Sequence, residues 1–269
     1  MPFVRPLLPG GLDREPGGES RRSSSLVRRP PIVFVHGAAN SGRVWQLWQR
    51  DVAARGWPSY ALDLRSHGDS PAGDLAATSM ADYADDVERV VRQLGAAPVL
   101  VGWSMGGLTA LMAAARGGVA AWVGLGPSPP ARARDESIPL RTGVFGPEEY
   151  GITSRDVADQ PTMPDLDAAE RAIALASLDL ESRYARDERK AGVVVGNLEC
   201  PALVVAGTAD QSFPPATYRD LPFTADLIEA PGASHWGLVL GGRTLQTLVP
   251  AVLAWLDKHL PAPRRDWNV

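Results

Sequence analysis

Residues 99–107 read Val-Leu-Val-Gly-Trp-Ser-Met-Gly-Gly, and a helical stretch to Arg116 follows at once. A β-branched run thus drives straight into a serine that has glycine two positions to either side. A chain reverses this sharply from strand to helix only where side chains facing each other across the turn are small, and Gly102 and Gly106 meet that demand. A strand that passes directly into a helix, with no hairpin partner, calls for a crossover connection and a mostly parallel sheet. The G-x-S-x-G pattern is weak by itself in a chain with 27 glycines. Its position between strand and helix is what gives it meaning.

The remaining segments agree with that demand. Ile32–Val35 and Ser59–Leu64 read as strands, with a helix over Val44–Arg55 between them. Ser79 caps a helix that runs to Leu94 and stops at Gly95. Pro98–Gly102 and Val119–Leu125 are further strands around the Met105–Arg116 helix. Alternation resumes with strands at Ala202–Ala206 and Leu227–Glu229, and a helix over Thr244–Leu260 closes the pattern, with Pro250 expected to kink it or set its start. The expected architecture is therefore α/β, three layers deep, with helices on both faces of a mostly parallel sheet. Residues 127–197 break the alternation with Pro-rich turns and two amphipathic pieces, Asp165–Leu178 and Glu181–Lys190. This stretch reads as an inserted helical cap between core segments 32–126 and 198–260, with 261–269 as a tail.

Charge and cysteine content narrow the functional classes. A net charge of −4 argues against a nucleic-acid partner. The single cysteine, Cys200, excludes an internal disulfide and a cysteine-rich metal site. No apolar run reaches the roughly 20 residues of a membrane-spanning helix. Residues 1–31 hold six arginines against three acids and read as a polar arm, mobile or loosely draped, with room for a short hairpin. Arg21-Arg22 lacks the long apolar stretch of an export signal, so a cytoplasmic location is expected.

A serine on such a turn is a candidate nucleophile, and the amide of Met105, at the amino end of the following helix, is placed to stabilise an oxyanion. The serine needs a base and an orienting acid, which in strand–turn–helix serine sites follow it as acid, then histidine. Asp210 follows the strand Ala202–Ala206, and His235 follows the last strand. Both lie at carboxyl ends of strands, where open α/β sheets carry their sites. The turn Gly126-Pro127-Ser128 offers no rival carboxylate. Of the other histidines, His36 and His67 read as loop-structuring residues and His259 as an exposed residue in the last helical turn.

Several motifs together resemble the α/β-hydrolase superfamily. His36-Gly37-Ala38-Ala39 followed by Trp45 is similar to its HG loop. Asp63-Leu64-Arg65-Ser66-His67-Gly68-Asp69-Ser70 resembles its D-x-R-G-H-G-x-S loop, with Ser66 in place of the first glycine. Gly102–Gly107 resembles the elbow G-H-S-M-G-G with Trp103 in place of histidine, and Gly232-Ala233-Ser234-His235 resembles G-x-x-H. The resemblance implies a second oxyanion donor at the Ala38 amide, an antiparallel hairpin at the start that residues 1–31 do not clearly supply, and no metal or organic cofactor. The implied activity is hydrolysis of a small or medium carboxylic ester or lactone. Carbon–carbon bond hydrolysis, acyl transfer, perhydrolase-type haloperoxidase chemistry, hydroxynitrile lyase chemistry and a ligand-binding receptor are the alternatives. Trp103 and Trp236 flank the proposed nucleophile and base and could shape the substrate pocket or fill the core. Leu166, Ile173, Leu175, Leu178 and Leu180 form a cap stripe that could face the substrate or the core.

Overall fold

The computed structural model describes residues 2–9 and 29–261. In chain order the elements are β1 (Phe3–Leu7), β2 (Ile32–Val35), α1 (Gln46–Ala53), β3 (Ser59–Asp63), α2 (Met80–Leu94), β4 (Val99–Trp103), α3 (Met105–Ala114) and β5 (Ala121–Leu125). The intervening segment carries β6 (Val144–Phe145), α4 (Ala168–Ser177), β7 (Glu181–Ser182) and α5 (Arg183–Ala191). The chain returns with β8 (Ala202–Gly207), β9 (Asp226–Ala230), α6 (Gly237–Leu240) and α7 (Gly242–His259).

Seven strands form one sheet in the order β1-β3-β2-β4-β5-β8-β9. Every pairing is parallel except β1 with β3. Successive residues of each strand point to opposite faces, which splits the core in two. Phe34, Val101, Val123 and Val205 pack with residues of α1, α6 and α7 on one face. Val33, Leu100, Trp122 and Val204 pack with α2 and α3 on the other. The expected three-layer α/β fold is what forms.

Local signals account for most boundaries. α2 begins with a capping box between Ser79 and Asp82 and ends at Gly95, which adopts the left-handed conformation at φ 64°. α7 contains Pro250 but starts at Gly242, two turns earlier, so the proline does not set its start. The amphipathic piece expected from Glu181 begins as helix only at Arg183, because Glu181–Ser182 pairs with β6.

The amino-terminal segment departs from its expectation. Residues 3–7, read from sequence as part of a loose arm, form an edge strand antiparallel to β3. Arg5 anchors it through ion pairs to Asp63, which is fully buried, and to Asp69, while Gln49 donates to the Arg5 carbonyl. Pro6 is tolerated because the strand is at the edge. The twin arginines Arg21-Arg22, the rest of the arm over 10–28 and the tail over 262–269 lie outside the described residues. Among the described residues no helix is long and apolar enough to cross a membrane.

The strand order reverses between β2 and β4: the chain leaves β2 for β3 on one side and returns to β4 on the other. Crevices at such switch points, beyond the carboxyl ends of the strands, are where α/β sheets bind ligands. β2 runs into Gly37-Ala38 there, and β4 into Ser104. The turn after β4 packs so closely on β2 that a methyl group at Gly106 would lie 2.2 Å from the His36 carbonyl oxygen and 2.3 Å from that of Val35. Gly56, by contrast, has positive φ but open space around it. Gly106→Ala should therefore cost on the order of 3 kcal/mol by steric overlap, against about 1 kcal/mol of backbone strain for Gly56→Ala. Denaturant midpoints measure this; a Gly106→Ala loss no larger than that of Gly56→Ala would contradict the close packing.

Candidate active site

Ser104 stands at φ 56° and ψ −123°, between the end of β4 and the first residue of α3. This is a left-handed conformation that a residue with a side chain adopts at a cost. The surroundings hold it there. Its N–H donates to Leu125 O (3.1 Å), and its carbonyl accepts from Gly107 N (3.0 Å) and Ser128 N (2.9 Å). A methyl at Gly102 would meet Gly106 O at 2.2 Å, so both glycines flanking the serine are required by space.

His235 follows β9 and is mostly buried, and its Nδ1–H donates to Asp210 Oδ2 at 2.7 Å. Asp210, fully buried as a side chain, also accepts from the Ser212 and Phe213 amides through Oδ1. Burial opposes its ionisation, but the hydrogen bond and charge of His235 outweigh that and, with the two amides, hold the carboxyl below its ordinary value. The Asp210 bond orients the imidazole and leaves Nε2 as the nitrogen that Asp210 does not engage. Gly126, at φ 48°, closes the arrangement from β5: a methyl there would lie 3.0 Å from Asp210 Oδ2 and 3.1 Å from His235 Nδ1. The turn that offered no rival acid thus presses directly on the acid–histidine pair.

Ser104, His235, Ala38, Trp103 and Trp236 line one cavity of about 330 Å³. Asp210 sits behind His235 rather than in the lining. The Met105 side chain is buried in the core on the α2–α3 face, so only its amide, at the start of α3, is relevant here. Among the described residues, neither the Ala38 nor the Met105 amide donates to a protein acceptor. The two tryptophans are both buried and both cavity-lining. Trp103 and Trp236 are almost fully buried and pack on each other at 4.7 Å between centroids, yet both reach the cavity. Trp103 also donates from Nε1 to the His235 carbonyl. The leucine and isoleucine stripe divides: Leu166 and Leu175 are core, Ile173 packs against it, Leu178 lines the cavity and Leu180 is exposed.

Sequence reasoning missed a residue of the segment between β5 and β8 that braces this site. Glu181 is fully buried, and its Oε2 accepts from the Ala39 amide at 3.0 Å. Ala39 is the residue after Ala38 and is itself left-handed at φ 54°. Tyr83 and the Ser182 amide donate to Oε1, at 2.6 and 2.7 Å. His67 Nε2 lies 3.6 Å from Oε2, an ion-pair separation. Burial opposes both charges. For Glu181 the His67 charge, with its other donors, still brings the carboxyl down to about 2, and for His67 the Glu181 charge holds the imidazole above its ordinary range. His36 behaves oppositely. Burial, then the nearby His67 charge, lowers it to about 4, and its neutral ring donates from Nδ1 to Gly37 O while Nε2 accepts from Leu64 N. His36 and His67 are thus structural residues beneath the HG loop. His259 is half-buried rather than exposed, stacked on Trp255 at 4.5 Å. The one signal that could have singled out Glu181 is an acid directly before the helix-capping Ser182, and that reads equally well as a surface charge.

A hydroxyl on a strained turn and an imidazole backed by a buried carboxylate thus meet at one cavity. Residues 32–243 match the model of the alpha/beta hydrolase family. The chain belongs to that family. It is 31% identical over 234 residues to a non-heme haloperoxidase from Rhodococcus erythropolis, covering 76% of this chain and 85% of that protein. It is 34% identical over 92 residues to 2-succinyl-6-hydroxy-2,4-cyclohexadiene-1-carboxylate synthase from Serratia proteamaculans, a match that spans 33% of this chain and 34% of that protein. Among solved structures, the esterase RhEst1 from Rhodococcus sp. ECU1013 superposes with a TM-score of 0.61 at 24% identity, covering 86% of this chain and 91% of that one.

The buried Glu181–His67 pair makes a stability prediction. Glu181 is depressed from an ordinary 4.5, so its contribution is present above that value and lost as pH falls toward about 2. His67 is raised from an ordinary 6.5, so its contribution is complete below that value and lost as pH rises through the folded-state value. Glu181→Gln should cost about 3 kcal/mol between those two ordinary values, by leaving His67 buried without its counter-charge. The gap between wild type and variant should narrow toward pH 2 and above neutrality. Denaturant titrations across pH test this; a gap independent of pH would contradict the ion pair.

Proposed function

We propose that the protein is a serine hydrolase that cleaves carboxylic esters through an acyl-enzyme. The observation that carries this reading is the His235–Asp210 bond, made beside a serine held in a left-handed turn on the same cavity. In this scheme Ser104 Oγ attacks the ester carbonyl carbon. His235 Nε2 accepts the serine proton and returns it to the departing alcohol. Asp210 keeps the imidazole in the tautomer that permits this and stabilises its cation. The Ala38 and Met105 amides hold the tetrahedral oxyanion, each donor supplying on the order of 3 kcal/mol to the transition state. Water, deprotonated by His235, then attacks the acyl carbon and releases the acid.

The cavity volume supports a small or medium ester, since it lies at the lower end of the roughly 300–1,000 Å³ typical of small-molecule sites. Trp103, Trp236, Phe213, Ile152 and Leu178 supply an apolar lining for the acyl or alcohol portion. The match to the haloperoxidase favours one further reading, in which hydrogen peroxide replaces water as the second nucleophile and yields a peracid. Both readings share the acyl-enzyme on Ser104 and differ only in what attacks it.

A panel of methyl and nitrophenyl esters of increasing acyl length tests the shared step. Ser104→Ala should lower kcat by roughly 10⁴-fold or more, and Asp210→Asn by roughly 10⁴-fold, with both variants folded. Full ester hydrolysis by Ser104→Ala would sink the scheme. Measuring peracid against free acid with peroxide present separates the two second nucleophiles.

A further inference from the structure

We infer that the cavity is built for an ester that also carries a carboxylate, and that Arg189 of the cap binds that carboxylate. The inference rests on the proposed acyl transfer at Ser104 for what is cleaved, but not for what is bound.

Arg189 lies near the end of α5 and, among the described residues, is the only cavity-lining residue with a permanent charge; the lining is otherwise made of apolar, small and neutral polar side chains with His235. Its neighbours on the cap are paired. Arg183 and Arg186 both meet Glu149, and Arg141 binds Asp187. Among the described residues Arg189 has no carboxylate within ion-pair distance. Its one hydrogen bond runs from an Nη to the Tyr150 hydroxyl at 2.9 Å. Its Nε–H is buried and has no acceptor. Glu181 feels the charge of Arg189, but its two oxygens are already taken up by Ala39, Tyr83, Ser182 and His67.

The Arg189 guanidinium thus meets the cavity without a counter-charge, which is costly in the free protein. A ligand carboxylate supplies that counter-charge by accepting from the Nη groups in stronger, charge-assisted bonds. A neutral ester leaves the charge unpaired, so the site discriminates by chemistry rather than by shape.

The test measures binding separately from turnover. Ser104→Ala protein is titrated by calorimetry with monomethyl succinate, glutarate and adipate, and with the neutral methyl esters in which an isopropyl group replaces each carboxylate. The inference predicts that at least one half-ester binds tenfold or more tightly than its neutral counterpart. Adding Arg189→Gln should collapse that ratio to near one, and Arg189→Lys should retain part of it. Thermal unfolding of each variant identifies any loss due to misfolding, in which case the Lys variant carries the test. In protein with Ser104 intact, the same ratio should appear in kcat/KM. Equal binding of all three half-esters and their neutral counterparts would overturn the inference, as would a preference that survives Arg189→Gln. If half-esters bind selectively but no ester is hydrolysed, the carboxylate site stands and the proposed hydrolysis fails.

Discussion

The geometry of the turn at Ser104 is the constraint from which the rest of the site follows. A residue with a side chain is held left-handed, and that strain persists only because neighbours on three strands leave no alternative. β4 delivers the serine, β5 accepts its amide through Leu125, and β2 presses its carbonyls against Gly106. Gly37 shares the same crowding, since a methyl there would lie 2.8 Å from the Trp103 ring and 3.2 Å from the Ser104 Cβ. The serine, the HG loop and the start of α3 are therefore held relative to one another by close packing, to which the Glu181–Ala39 hydrogen bond adds. Preorganisation of this kind is what an oxyanion site requires.

The segment between β5 and β8 is fastened to that frame by carboxylates that accept from backbone amides elsewhere in the chain. Glu181 takes Ala39, Asp179 takes Gly68 (2.7 Å), Asp165 takes Ser234 (2.9 Å) and Glu170 takes Gly242 (2.7 Å). Two of these bonds fall directly beside proposed site residues, on either side of the cavity: Ala39 follows Ala38, and Ser234 precedes His235. The segment between β5 and β8 thus satisfies amides in the two loops that carry Ala38 and His235. It also contributes Arg189 and Thr162 to the cavity lining, while Ser104, Asp210 and His235 follow strands of the sheet.

The extent to which this was legible in sequence follows the range of the interactions involved. The elbow, the Ser79 and Gly95 boundaries of α2, and the strands β2, β4, β5 and β8 are marked by residues within a few positions of each other, and periodicity exposes them. The Asp210–His235 pairing was readable because both residues end strands of the same sheet. β1 was not, because Phe-Val-Arg-Pro-Leu carries a proline and an arginine whose partners, Asp63 and Asp69, lie some 60 residues away. Glu181 and Arg189 sit in a charge-rich stretch, Glu-Ser-Arg-Tyr-Ala-Arg-Asp-Glu-Arg-Lys, where no local pattern tells a buried or cavity-lining charge from a solvated one. Ser66 makes a related point. It stands where the resembled motif has glycine and adopts φ 61°, with its hydroxyl accepting from Gly73 N at 2.8 Å.

The central claim is that Ser104, activated by the His235–Asp210 pair, is the nucleophile. Intact-mass and peptide analysis after treatment with a serine-directed fluorophosphonate tests it most directly. The account predicts one phosphonyl adduct per chain, located on the peptide that contains Ser104 and formed far more slowly when His235 is replaced by alanine. Absence of an adduct, an adduct on another serine, or labelling of Ser104 at an unchanged rate without His235 would contradict it.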